Sequence, residues 1–116
     1  MKTLVVMMAL GMGFFAVNAE AFCIYNSTDT KIFVYQTGGG TTVMAKRFRV
    51  DINPGGKECC NWKNKDCNKE GNRDSTVAFV ITDINSVTIC GISIPASGWV
   101  EVKGEKGAYR CEAHGY

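Results

Sequence analysis

Six cysteines, Cys23, Cys59, Cys60, Cys67, Cys90 and Cys111, constrain this chain more than any other feature. Their weight depends on what precedes them. The chain opens Met-Lys, runs through 14 apolar residues from Leu4 to Val17, and continues Asn18-Ala19-Glu20-Ala21. A basic start, a short apolar stretch and small residues at alternate positions predict a secretory signal peptide over residues 1–19. Cleavage is expected after Ala19, or after Ala21. A membrane span needs about 20 apolar residues, so a lasting anchor is the poorer fit.

Export leaves residues 20–116 as one small β domain holding all six cysteines. An even count in an oxidising compartment predicts three disulfides. They are needed, because a domain of about 100 residues buries only a little over 60% of its unfolded surface. The expected location is secreted and extracellular.

The dominant apolar period is two. Phe48, Val50 and Ile52 alternate with Arg47, Arg49 and Asp51, and Val77, Phe79 and Ile81 form a second such run. Val87 to Ile94 is β-branched and closed by Pro95, while Val100 and Val102 alternate with Glu101 and Lys103. Ile32–Tyr35 is a further short run, with Phe22–Tyr25 as its expected partner across a turn at Thr28-Asp29-Thr30. Gly38-Gly39-Gly40, Pro54-Gly55-Gly56, Pro95-Ala96-Ser97-Gly98 and Gly104-Glu105-Lys106-Gly107 punctuate these runs. No stretch carries a helical period. The pattern predicts an all-β fold, an antiparallel sandwich or barrel of seven to eight short strands stapled by disulfides.

Six cysteines allow 15 pairings. Neighbours on an extended strand point to opposite faces, which removes a direct Cys59–Cys60 bond. Cys60 shares a phase with Trp62 and is expected inward; Cys59 shares one with Lys57 and Asn61 and is expected outward. Cys67 lies in the polar stretch Asn61–Ser75, and one of the adjacent pair is expected to close that loop with it. Cys90, in phase with Ile92 and Ile94, reads as a core cysteine.

Functional signals are sparse. The formal charge of +2 is too small to imply nucleic acid, and a single histidine removes most triad and metal-hydrolase chemistry. His114, with Glu112 or Arg110, is the one candidate for acid–base work, and a chain end rarely holds such a group in place. Residues 46–73 carry eight cations against four anions. Arg47, Arg49, Lys63 and Lys65, with Lys46, Lys57, Lys69 and Arg73, could face an anionic membrane surface or wall polymer, although such charges also guard strand edges. The dibasic Lys46-Arg47 is expected to stay uncut inside its strand pattern. Trp62, at the mouth of the polar loop, is the leading recognition aromatic. Asp66, Asn68, Glu70 and Asp74, with Gly71 in sixth place, open like a calcium loop. Val77 stands where the closing glutamate belongs, and Lys69 and Arg73 interrupt the acids, so a solvated, pinned loop is the expectation and no metal or cofactor is assigned. Asn26-Ser27-Thr28 is an N-glycosylation sequon, expected to sit in the first turn.

The Phe22-Cys23-Ile24-Tyr25-Asn26 strand, the run into Pro54-Gly55-Gly56, and Cys59-Cys60-Asn61-Trp62 through Cys67-Asn68 resemble small secreted cysteine-rich proteins of filamentous fungi. The first strand is also similar to small thaumatin-like sandwiches, whose cysteine pattern differs. The resemblance implies location more than mechanism. A non-enzymatic binding protein is the leading expectation, with a glycan, cell-wall polymer, membrane surface or extracellular protein as partner. A membrane-active toxin using residues 46–73, and a small hydrolase or protease inhibitor, are the alternatives.

Overall fold

The computed structural model describes residues 21–40 and 47–115. The leader expected at residues 1–19, and Lys46 of the dibasic pair, lie outside them. Eight strands form: β1 (Ala21–Thr28), β2 (Ile32–Gly38), β3 (Arg49–Ile52), β4 (Lys57–Asn61), β5 (Thr76–Thr82), β6 (Thr88–Pro95), β7 (Trp99–Glu105) and β8 (Ala108–His114). They make two four-stranded sheets, ordered β4-β1-β7-β8 and β3-β2-β5-β6. The described residues contain no helix long and apolar enough to cross a membrane.

Period-two patterning decides this architecture. Phe22 and Ile24 from the first sheet meet Ile32, Val34, Val77, Phe79 and Ile81 from the second, all essentially without solvent contact. Val100 and Val102 complete the first sheet's inner face. Phe22, Phe48 and Phe79 pack as a three-ring cluster with centroids 5.0, 5.1 and 5.8 Å apart. Such tilted and edge-on contacts add to the gain from burying the rings.

The expected pairing of β1 with β2 does not form. β1 lies antiparallel to β4 and parallel to β7, whereas β2 pairs with β3 and β5. The chain between them arches from one sheet to the other, and Asn26 explains why. Its side chain points inward in phase with Phe22 and Ile24 and is 1% exposed. The amide Nδ2 donates to the carbonyls of Thr30 and Ile52, each at 2.8 Å. Oδ1 accepts from the Thr28 amide and hydroxyl. Backbone bonds from Asn26 N to Gly56 O and from Gly55 N to Asn26 O then seat the β3–β4 turn over the same strand. Asn26 therefore sits inside β1, not in a turn. Its amide is buried and twice committed, so a glycan there is incompatible with this fold.

Three disulfides close the sandwich: Cys23–Cys59, Cys60–Cys67 and Cys90–Cys111. Cys23 and Cys59 face each other directly across the β1–β4 ladder. Cys60 packs against the core while Cys59 is exposed, following the alternation of the strand. Cys90–Cys111 clips edge strand β6 of one sheet to edge strand β8 of the other. No cysteine is free. Three such bridges mark a protein that matures in an oxidising, extracellular-type compartment.

Candidate functional site

The 61–75 stretch has no apolar stripe with which to pack, so polar bonds hold it. Asn64 accepts from the amides of Cys67 and Asn68, making one tight turn. The Cys60–Cys67 bridge ties that turn to β4. Asn68, with 0% exposure, fills the loop's centre. Its Nδ2 donates to the carbonyls of Trp62 and Asn72, and its Oδ1 accepts from the Ser75 hydroxyl. Gln36, buried in β2, donates to Cys67 O at 2.7 Å and accepts from Phe48 N. Lys69 N donates to Gly39 O, and the carbonyls of Arg73 and Ser75 accept from Ser97 and Ala96. The loop is thus fastened to both sheets.

Between this loop and the end of β2 lies an open groove of about 930 Å³. Gly39 and Gly40 form one wall; Gly39 has φ +84°, and a Cβ there would run into the Thr76 carbonyl and Val77. Trp62 is half-buried against the core and presents its remaining surface to the groove, with the Lys63 ammonium 5.4 Å from its ring centre. Arg47, Lys69 and Arg73 supply three cations along the groove, and Glu70 and Asp74 supply two carboxylates. Asn72, Ser75 and Thr76 add neutral hydrogen-bonding groups. One aromatic surface ringed by forked and point-charge donors can hold a polar chain through stacking and hydrogen bonds. The site is too open to enclose a small apolar molecule.

Two of the sequence-predicted binding residues, Trp62 and Arg47, meet at this groove, with Lys63 beside them. Lys65 is exposed on the same loop but does not line it. Arg49 stands over Tyr35 on the second sheet, and Lys57 over Tyr25 on the first. The basic segment is therefore spread over two sheets and a loop, because β3 and β4 are consecutive in sequence but belong to different layers.

The calcium-like series comes apart for a related reason. Asn68 is consumed internally, and the carboxylates of Asp66, Glu70 and Asp74 do not converge. Among the described residues, the side chains of metal-ligand type that do converge are Glu101, Glu112 and His114, on the outer face of the first sheet. Lys103 already sits among them, 3.3 Å from Glu112 and 3.9 Å from Glu101. Its hydrogen bond and charge hold the Glu112 carboxyl below the usual carboxylate range. His114 is better held than a chain end predicts. Its ring stacks on Trp99 at 4.0 Å and 15°, and its Nε2 is 3.9 Å from Glu112. It is not among the residues lining the groove.

Sequence reasoning missed Gln36, and it named Asn26 and Asn68 only as a sequon and a calcium-type ligand, not as the buried amides that with Gln36 build the arch and the groove. For two of them a signal existed: Asn26 continues the inward phase of Phe22 and Ile24, and Gln36 that of Ile32 and Val34. Compared with known proteins, the chain matches no family model and shows no significant sequence likeness to a curated protein.

Proposed function

We propose that this chain is an exported, non-enzymatic binding domain that takes an acidic, hydroxyl-rich glycan segment in the groove beside Trp62. The observation that carries this is the groove's composition: one indole surface with Arg47, Lys69 and Arg73 disposed along its length. Sugar rings present C–H faces that stack on an indole, and arginine forks match carboxylate groups. Glu70 and Asp74 interleave with the cations and suit hydroxyl donors while limiting non-specific attraction to any polyanion. The disulfide and the buried Asn68 fix the loop before a ligand arrives, which reduces the ordering cost of binding. The sole imidazole is engaged with Trp99 away from the groove, which favours binding over acid–base chemistry there. Distribution of the other cations over two sheets speaks against a membrane-active face.

The test is calorimetric titration of the full chain with neutral and uronate-containing oligosaccharides. Saturable binding of the acidic series is expected. The double variant Arg47→Glu, Arg73→Glu should lose it by about tenfold or more, on the order of 1.4 kcal/mol, with unchanged circular dichroism. Absence of saturable binding to every acidic glycan sinks the reading, and undiminished binding by the double variant removes the groove as the site.

A further inference from the structure

The four edge strands of the sandwich are unequally protected. β3 (RVDI), β4 (KECCN) and β8 (AYRCEAH) each carry charged side chains, the usual guard against edge-to-edge pairing. β6 reads TICGISIP, eight residues with no charge and with its proline only in the last place. Among the described residues it pairs with β5 alone. A second observation falls on the same rim. Among the described residues, Ile84 (55% exposed) and Val87 (60%) are the two most exposed large aliphatic side chains, and both sit on the β5–β6 connection that leads into this edge. That connection is rigid: the Asp83 carboxylate accepts from the amides of Asn85 and Val87, and Asp83 N donates to Val87 O. A rim of this kind is held ready for contact.

We propose that β6 is the seam of a homodimer, in which a second copy adds its own β6 antiparallel about a two-fold axis beside Gly91. The two β3-β2-β5-β6 sheets then join into one sheet of eight strands. The segment is its own complement in this register. Thr88 faces Ile94, Ile89 faces Ser93, Cys90 faces Ile92, and Gly91 faces itself. No like charges meet anywhere along the ladder. The register also keeps the inward-facing Cys90, Ile92 and Ile94 of both copies on one side, so the two hydrophobic layers run on into each other. It brings each exposed Val87 level with Pro95 of the other copy. An uncharged edge gives a foreign strand nothing electrostatic to recognise, whereas identical copies satisfy the closed, isologous geometry most homodimers use. An eight-residue ladder is a small interface, which places the dimer among weak, reversible associations. Thr76, which pairs with Pro95 at the far end of β6, lines the groove. Each dimer would therefore carry its two grooves at opposite ends of the seam.

Sedimentation of the full chain, produced through an oxidising compartment, tests this from the micromolar to the millimolar range. Gly91 is exposed, and a Cβ there meets only the Phe79 carbonyl oxygen at 3.9 Å. Gly91→Lys and Gly91→Glu are thus harmless to the monomer but set like charges face to face at the axis. The wild type should dimerise reversibly, each variant should be monomeric, and an equimolar mixture of the two variants should dimerise again. Near-UV circular dichroism and a count of free thiols establish that the variants fold, and Gly91→Arg or Gly91→Asp replaces the like-charged one that does not. A wild type that stays monomeric at millimolar concentration, charged variants that dimerise like the wild type, or a mixture that stays monomeric each overturns the proposal.

Discussion

Replacing Asn26 by alanine should cost this small domain a large share of its stability. The side chain is 1% exposed and makes four hydrogen bonds, three of them fully buried. Removing it leaves the Ile52 carbonyl and the Thr28 amide and hydroxyl without these partners inside the sandwich, and loosens Thr30 as well. At about 0.5–1.5 kcal/mol per net hydrogen bond, with orphaned buried groups at the upper end, the loss is about 4 kcal/mol. Total stabilities of single domains are about 5–15 kcal/mol. Guanidinium unfolding with the disulfides intact, at a slope of about 3 kcal/mol per molar, should show the midpoint falling by about 1.3 M. Asn26→Asp is the sharper probe, because it keeps the shape and the Oδ1 that accepts both Thr28 bonds but turns the twofold donor towards two carbonyls into a carboxyl oxygen. Burial beside those oxygens raises the folded-state pKa of the introduced carboxyl above its unfolded value of about 3.9. Its deficit should therefore be smallest in acid, where a protonated carboxyl can still donate once. The deficit should widen as pH rises above that unfolded value. Asn85→Ala, in the exposed β5–β6 turn, should stay within about 0.5 kcal/mol of wild type. A loss below about 1 kcal/mol for Asn26→Ala, or an Asn26→Asp variant relatively more stable at neutral pH than in acid, would refute the keystone role of this amide.

The disulfides should rank by the chain they enclose. Separations of 36, 21 and 7 residues for Cys23–Cys59, Cys90–Cys111 and Cys60–Cys67 give chain-entropy contributions of about 3.8, 3.4 and 2.5 kcal/mol. Paired Cys→Ala variants in thermal unfolding check the order, and Cys60→Ala with Cys67→Ala should also speed hydrogen exchange at the Lys69 amide, now bonded to Gly39 O. A reversal of the first and last ranks contradicts the entropic account. Tyr109 donates its hydroxyl to Asp29 at 2.8 Å, and that bond raises its ionisation above the usual tyrosine value of 10.0. The associated stabilisation is present below that value and is lost as pH climbs through the raised one. Tyrosine ring-carbon NMR should place the Tyr109 titration above that of the Asp29→Asn variant, and coincident curves would exclude the contact.

The hydrophobic layers were legible in the sequence because period-two runs such as Val77-Ala78-Phe79-Val80-Ile81 leave one face apolar whichever strands become neighbours. Pairing was less legible. Phe22–Tyr25 and Ile32–Tyr35 look like the arms of a hairpin, and only the inward phase of Asn26 signals that the chain must turn between layers instead. β8 was hidden for another reason. Five of its seven residues are half-buried and none is fully buried, so Ala108–His114 carries no clean alternation. The groove was partly visible through Trp62 and Arg47. Its second wall was not, because the approach of Gly39 to Thr76 joins residues far apart in sequence through β2–β5 pairing. The calcium-like spacing misled because spacing cannot show that Asn68 is swallowed by its own loop.

The adjacent Cys59 and Cys60 have a consequence for how the chain reaches this state. One bonds sideways to β1 and the other to the loop, and strand alternation alone decides which does which. If β4 slipped by a single residue, Cys60 would stand opposite Cys23 and Cys59 would turn towards Cys67, exchanging every side chain between core and solvent. Both bridges can close without that exchange in one alignment only. Oxidation therefore acts as an error check on strand alignment. A misaligned molecule is left with a reactive thiol or an exposed core face, either of which distinguishes it from the finished protein.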